Sequence, residues 1–155
     1  MEYKVNKILV PIDFSDYSKK ALQYAFNLAK HFDAQIFLIY VIEPVIYPAD
    51  FSMGQVALPS VDVEMNTRAK EELESLAKKE ISGLDIKTII KTGKPFVEIV
   101  EAAAEEDIDL IIIASHGHTG VEHLLFGSTA EKVVRKAPCP VLTLREPVKG
   151  YKFKA

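Results

Sequence analysis

Apolar residues along the chain fall into two kinds of run: short continuous blocks, and longer stretches in which they recur every three or four positions. Ile8 to Ile12 is a block rich in β-branched residues that ends at Asp13, and Tyr17 to Phe32 then places Ala21, Leu22, Ala25, Leu28 and Ala29 at helical spacing. The pair predicts a strand followed by a helix. Gln35 to Ile42 is again continuously apolar, as in a parallel strand covered by helices on both faces. Val61 to Ile81 sets Leu73, Leu76 and Ala77 among lysines and glutamates, which predicts an amphipathic helix with Gly83 as its stop. Asp85 to Lys91 reads as a third strand. Pro95 suits a first helical turn because it lacks an N–H that would be orphaned there, and Ile99, Val100 and Ala103 form that helix's inner face up to about Asp107. Asp109 to Ala114 predicts a fourth strand, Ser128 to Lys136 a fourth helix, and Val141 to Leu144 a fifth strand before a polar tail.

Strict alternation of strand and helix implies a single α/β, Rossmann-like domain with a mostly parallel sheet and right-handed crossovers. Such open sheets bind ligands at the carboxyl ends of their strands near a topological switch point, which places function after strands one and four. One connection is unusually long. Glu43 to Ser60 carries Val45, Ile46, Tyr47, Phe51, Met53, Val56 and Leu58, and reads either as a lid or dimer contact or as an Ω-like loop packed on its own side chains.

Charge and cysteine content narrow the classes of partner. Lysine plus arginine number 19 against 22 acidic residues, a net charge of -3 that is too balanced to steer a polyanion, so nucleic acid is not expected as a partner. Met1 to Val10 lacks the apolar core and cleavage site of a secretion signal, and no apolar run approaches the ~20 residues of a bilayer span. These features predict a cytoplasmic protein without a membrane partner. Cys139, the one cysteine, has no internal disulfide partner and, set between Pro138 and Pro140, reads as a structural thiol.

The chemistry concentrates in Ala114-Ser-His-Gly117-His-Thr-Gly120-Val-Glu-His-Leu-Leu-Phe-Gly127-Ser128-Thr129. Gly117, Gly120 and Gly127 let backbone N–H groups approach a ligand closely, Ser128 and Thr129 add hydroxyl donors, and a helix N-terminus supplies its dipole. That combination suits phosphate oxygens. A second reading competes with it, because Ser128 with Glu131 three residues on matches a capping box that would satisfy the same N–H groups internally. Glu131 also brings negative charge near a phosphate, which a divalent cation such as Mg or Mn would offset.

The segment resembles the nucleotide loop of the universal stress protein family, whose pattern is Gly, two residues, Gly, nine residues, Gly, then Ser or Thr. Here the pattern falls on Ala114, Gly117, Gly127 and Ser128, with alanine in place of the first glycine. Lys7-Ile-Leu-Val-Pro-Ile-Asp13-Phe-Ser15 with Ala21-Leu22 resembles the family's opening, Gly93-Lys-Pro95 its third crossover, and Ala137-Pro-Cys-Pro-Val-Leu142 its last strand. The resemblance implies a five-stranded sheet of order 3-2-1-4-5 in a domain over residues 1–146, with a tail at 147–155. It implies an adenine nucleotide, ATP or else AMP or ADP, lying across strands one and four. Backbone at Pro11 and Val41 and the Asp13 side chain would face adenine and ribose. Ala114, Ser115, His116, Gly117, His118, Thr119, Gly120, Gly127, Ser128 and Thr129 would hold ribose and phosphates. It further implies a stress-response regulator that forms a homodimer through Val141 to Leu144 and signals to a further protein.

Rival chemistries fit the residues less well. Ser115 sits where a nucleophile elbow would put its serine, but Ile113 replaces the first glycine and no aspartate follows in triad order. His116, His118 and His123 share no recognised metal-ligand spacing with a cysteine or carboxylate. Gly93-Lys94 is not a P-loop, because Thr88 and Pro95 occupy required positions. Asp13 reads either as a ligand contact or as a turn residue bonded to the backbone near Ser15. No catalytic residue is assigned, and three functions stay open: a nucleotide-binding regulator, a slow ATPase, and a dimeric scaffold without nucleotide.

Overall fold

The computed structural model describes residues 3–44, 59–81, 83–116 and 127–145. Strand β1 (Lys7–Pro11), helix α1 (Asp16–Phe32), β2 (Gln35–Ile42), α2 (Pro59–Glu80), β3 (Ile86–Thr92), α3 (Pro95–Glu105), β4 (Leu110–Ala114), α4 (Ser128–Lys136) and β5 (Val141–Leu144) follow in strict alternation. The strands form one parallel sheet of order β3-β2-β1-β4-β5, so the chain reverses its direction of winding between β1 and β4.

Strand periodicity divides the core between the two faces of this sheet. Ile8, Val10, Ile36, Leu38 and Ile112 point to one side and pack under Ala21, Leu22 and Ala25 of α1 and Leu73 and Leu76 of α2. Leu9, Phe37, Ile39, Ile111 and Ile113 point to the other, under Ile99, Ala102 and Ala103 of α3 and Ala130 and Val133 of α4. Both faces are covered, which is why β2 shows no polar alternation.

Local chemistry sets the element ends. Ser15 caps α1 by accepting the Ser18 amide at 3.2 Å, and Asp33 closes it in the left-handed conformation at φ 56°. Pro95 opens α3, whose cap residue Lys94 makes no side-chain capping bond. Helix α2 begins at Pro59, two residues before the apolar periodicity does, because a proline at the first turn costs no hydrogen bond.

The two central strands are joined mainly at their amino ends. β1 pairs with β2 over five residues, Lys7↔Gln35 to Pro11↔Ile39, but with β4 only at Ile8↔Leu110 and Leu9↔Ile111. Below that contact, Asp109 Oδ2 accepts the amides of Asn6 at 2.8 Å and Lys7 at 2.9 Å, and Lys7 Nζ donates to the Glu106 carbonyl at 2.8 Å. The Tyr3 hydroxyl donates to the Asp109 carbonyl. Lys87 pairs with Glu106 at 2.8 Å and, like Lys7, lies over the Phe37 ring. The β1–β4 pairing among the described residues stops at Leu9↔Ile111, and a crevice opens beyond it at the carboxyl ends.

Candidate functional site

The crevice is a cavity of about 480 Å³, within the usual size range of small-molecule sites. It lies beyond the carboxyl ends of β1, β2 and β4, bounded by the first turns of α3 and α4. Pro11, Asp13, Val41, Ala114, Ser115, His116, Gly127, Ser128 and Thr129 all line it. Gly117, His118, Thr119 and Gly120 lie outside the described residues, as do Val45 to Leu58 of the long connection.

The wall facing β1 is built by a tight turn. Asp13 Oδ1 accepts from the Ser15 amide at 3.0 Å and from the Ser15 hydroxyl, while Phe14 between them takes a left-handed φ of 63°. A bulky residue in that region is strained, and the Asp13 bonds hold it there. The turn reading of Asp13 is thus realised, and the same residue lines the cavity. Phe14 packs its ring on Tyr40, centroids 4.9 Å apart.

The opposite wall is the junction of β4 and α4. Ser115 continues β4, its amide donating to the Leu144 carbonyl at 2.8 Å, and its carbonyl accepts the Gly127 amide at 2.6 Å. The segment 117–126 therefore leaves and rejoins the fold at one hydrogen bond. Gly127, not Ser128, is the N-cap of α4, and no side chain caps the helix. The capping-box reading of Ser128 with Glu131 is corrected: Ser128 is already helical, and the Glu131 carboxylate pairs with Arg135 Nε at 3.1 Å. Ser128 and Thr129 instead line the cavity. A helix start whose amides lack a side-chain cap, beside hydroxyls, is a ready anion site.

Ala114 belongs to β4 and has no positive φ, so the alanine in place of the first pattern glycine carries no backbone strain. Its methyl packs toward the α1 face of the core. Ser115 is 2% exposed, and its Oγ lies 3.0 Å from His116 Nδ1. The chain bends at Ser115, but the side chain is buried, whereas a nucleophile elbow would thrust the hydroxyl outward. The His116 ring in turn meets Tyr17 of α1 at 6.0 Å between centroids.

Several lining residues escape sequence reasoning. Ile39, Ile99 and Ile113 supply an apolar floor, Pro95 an edge, and Tyr40, Glu43 and Met65 the side toward α2. Burial pushes the Tyr40 phenol up from its ordinary value, with help from the carboxylates of Glu72, Asp13 and Glu43. Among the described residues no three His, Cys, Asp or Glu side chains converge as a metal site, and no helix is long and apolar enough to cross a membrane. Cys139 is half-buried, and burial raises its thiol pKa.

Sheet order, crossovers and cavity together define a doubly wound α/β protein with its pocket at the switch point. The chain belongs to the universal stress protein family, whose profile matches residues 4–145. A universal stress protein of Methanocaldococcus jannaschii is 38% identical over 146 residues, covering 92% of this chain and 84% of its own. One from Bacillus subtilis is 36% identical, covering 90% and 99%. Among solved structures, another universal stress protein of M. jannaschii matches with a TM-score of 0.78 at 31% identity, covering 96% of this chain and all of its own. Two structures of the same fold were solved as complexes. A universal stress protein with cAMP matches at TM-score 0.64 and 23% identity, covering 90% and 97%, and one from Archaeoglobus fulgidus with dAMP at 0.62 and 19%, covering 93% and 100%.

Proposed function

We propose that this chain binds an adenine nucleotide in the switch-point cavity and acts as a stress-response regulator. The observation that carries the reading is the cavity itself: an apolar floor at Ile39, Ile99 and Ile113 suited to a purine ring, facing a helix start without a side-chain cap, flanked by Ser128 and Thr129. In the reading, Pro11, Val41 and Asp13 face base and ribose. Ala114 to Gly120 and Gly127 to Thr129 hold ribose and phosphates, with Mg or Mn accompanying a polyphosphate such as ATP. Fold relatives solved in complex with cAMP and dAMP support an adenine nucleotide as the ligand class. Titration calorimetry with ATP, AMP and cAMP tests it; negligible heat with all three leaves a scaffold role.

The regulator acts as a homodimer in this proposal, within one domain over residues 1–146 followed by a tail at 147–155. Support comes from β5, which stands at a sheet edge and exposes Leu142 at 38%, and from α4, which exposes Val134 at 46%. An edge strand with apolar neighbours favours a partner strand across a two-fold axis. Sedimentation at micromolar concentration checks this, a monomer alone being the contrary result. The reading places the protein in the cytoplasm, with hydrolysis at most slow.

A further inference from the structure

The net charge of -3 conceals a separation of charge along the chain. Residues 131–155 hold seven lysines and arginines against two glutamates, a net of +5, whereas residues 1–130 hold twelve against twenty acids, a net of -8. A balance struck over the whole sequence therefore says little about what one end of the molecule attracts.

The fold keeps the two signs apart. On α4, Lys132 Nζ lies 4.9 Å and Lys136 Nζ 5.8 Å from the centroid of the Phe96 ring, and among the described residues neither lysine has a carboxylate partner. Lys19, Arg68, Lys87 and Lys91, by contrast, each lie within 3.8 Å of a carboxylate. The glutamates of α3 and its end turn toward β3, the sheet edge opposite β5: Glu105 bonds Lys91, Glu106 bonds Lys87, and Glu98 and Glu101 act on Lys91 as well. They leave the α4 side of α3 to Phe96 and the two lysines.

Further cations follow from the β5 edge. Arg145, exposed, comes directly after Leu144 at the end of β5, and residues 146–155 add Lys149, Lys152 and Lys154 with Tyr151 and Phe153 among them. Ten residues span at most ~33 Å, more than twice the ~13 Å of the nine-residue α4, so tail and helix can present their cations to one surface.

Two properties select the kind of surface. The Phe96 ring packs on the core and lies under two lysines, so it offers no platform on which a base could stack. Lysines interleaved with Tyr151 and Phe153 suit the headgroup region of a bilayer, which takes ammonium groups at its charge and rings at its apolar boundary. At physiological salt, charges more than ~8 Å from that surface are largely screened, so the acids gathered toward β3 oppose the contact weakly.

We propose that α4 and the C-terminal tail form a peripheral docking surface for an anionic lipid bilayer, with Lys132, Lys136, Arg145, Lys149, Lys152 and Lys154 facing the headgroups. Such a contact needs no spanning segment. Neither α4 lysine lines the cavity, so the proposal does not depend on the nucleotide reading. Lys132 and Val134 lie to either side of the buried Val133, so the contact is compatible with pairing through β5.

Co-sedimentation of the full chain with vesicles of phosphatidylcholine, and with vesicles containing about one third phosphatidylglycerol, tests the proposal. Partition to the anionic vesicles exceeds that to the neutral ones at least roughly tenfold and falls as NaCl is raised. Each lysine at an anionic surface contributes roughly fivefold, so Lys132→Gln with Lys136→Gln lowers partition about twentyfold, and Lys149→Gln, Lys152→Gln and Lys154→Gln together about a hundredfold. Lys78→Gln with Lys79→Gln, the α4 pair's change of charge made in the last turn of α2, lowers it by less than about threefold. Thermal melts of the variants match the parent chain; should the α4 pair melt lower, the tail set beyond β5 decides alone. Equal partition to neutral and anionic vesicles overturns the proposal. So does an equal loss from the α2 pair, which would make the effect one of net charge alone. A single-stranded RNA that displaces the chain from the vesicles at an equal concentration of phosphate groups overturns it in favour of a nucleic acid.

Discussion

The amide of Gly127 donates to the carbonyl of Ser115 across 2.6 Å, so the first residue after β4 and the cap of α4 are held face to face. A Cβ built on Gly127 would lie 3.2 Å from that same carbonyl oxygen, closer than carbon and oxygen usually pack. The glycine is needed for space and not for its backbone angle, which is an ordinary -67°. Gly127→Ala is therefore expected to cost about 1 kcal/mol and Gly127→Val toward 3 kcal/mol, the usual range for overpacking. Urea unfolding measures the cost, and equal stability of all three chains would contradict it.

Asp13 makes a parallel case on the other wall. Its carboxylate accepts from both the amide and the hydroxyl of Ser15 and keeps Phe14 left-handed. Asp13→Ala removes charge-assisted bonds that are worth about 1.5 to 3 kcal/mol, whereas Asp13→Asn keeps an acceptor oxygen and loses less. The order of the two variants in a thermal melt is the check. An alanine as stable as the asparagine would remove the turn from the account.

Tyr40 carries the alkaline prediction. Its folded-state pKa lies above the ordinary 10.0, chiefly through burial, so the folded chain holds this proton more tightly than the unfolded chain does. The stability it contributes is complete below that ordinary value and is lost as pH rises through the folded-state pKa. Unfolding free energy should fall in this alkaline window, and Tyr40→Phe should fall less steeply than the parent chain. Parallel urea titrations across the window decide it, identical slopes being the contrary outcome.

Ala114 bears on what the loop pattern means. Because the residue is extended and its methyl packs toward α1, restoring glycine removes contact without relieving strain. Ala114→Gly should lower stability by roughly 0.5 to 1 kcal/mol and leave nucleotide affinity within about threefold. A tenfold gain in affinity, measured by calorimetry, would instead show the methyl obstructing the ligand.

The elements were legible to different depths, for physical reasons. β2, α4 and β5 begin and end where the sequence predicts: burial on both faces makes β2 an unbroken apolar block, and α4 and β5 are set off by Gly127, Pro138 and Pro140. β1 lies one residue earlier than its block suggests. Lys7 pairs with Gln35, while Ile12, though buried, has already left the strand and donates only to the Ile39 carbonyl at 2.8 Å. The start of α4 was legible but its cap was not. Ser128 has a capping residue's chemistry, and only the long-range bond from Gly127 to Ser115 moves the cap one position back. The cavity was legible where glycines and hydroxyls mark it. Ile39, Tyr40, Ile99 and Met65 were not, since nothing in an apolar run says which side chain will border a space between elements.

The unequal pairing of β1 with β4 gives the sheet a fixed pole and a free pole. At the amino end, Asp109 and Lys7 stitch strand to strand, and Lys7 and Lys87 lie over the Phe37 ring. At the carboxyl end the same two strands part, with Asp13 on one lip and Ser115 on the other. A molecule wedged between those lips would press on strands that are laced together at their far end. Its presence would therefore be expressed on the rim of the free pole, where the connections 45–58 and 117–126 both depart.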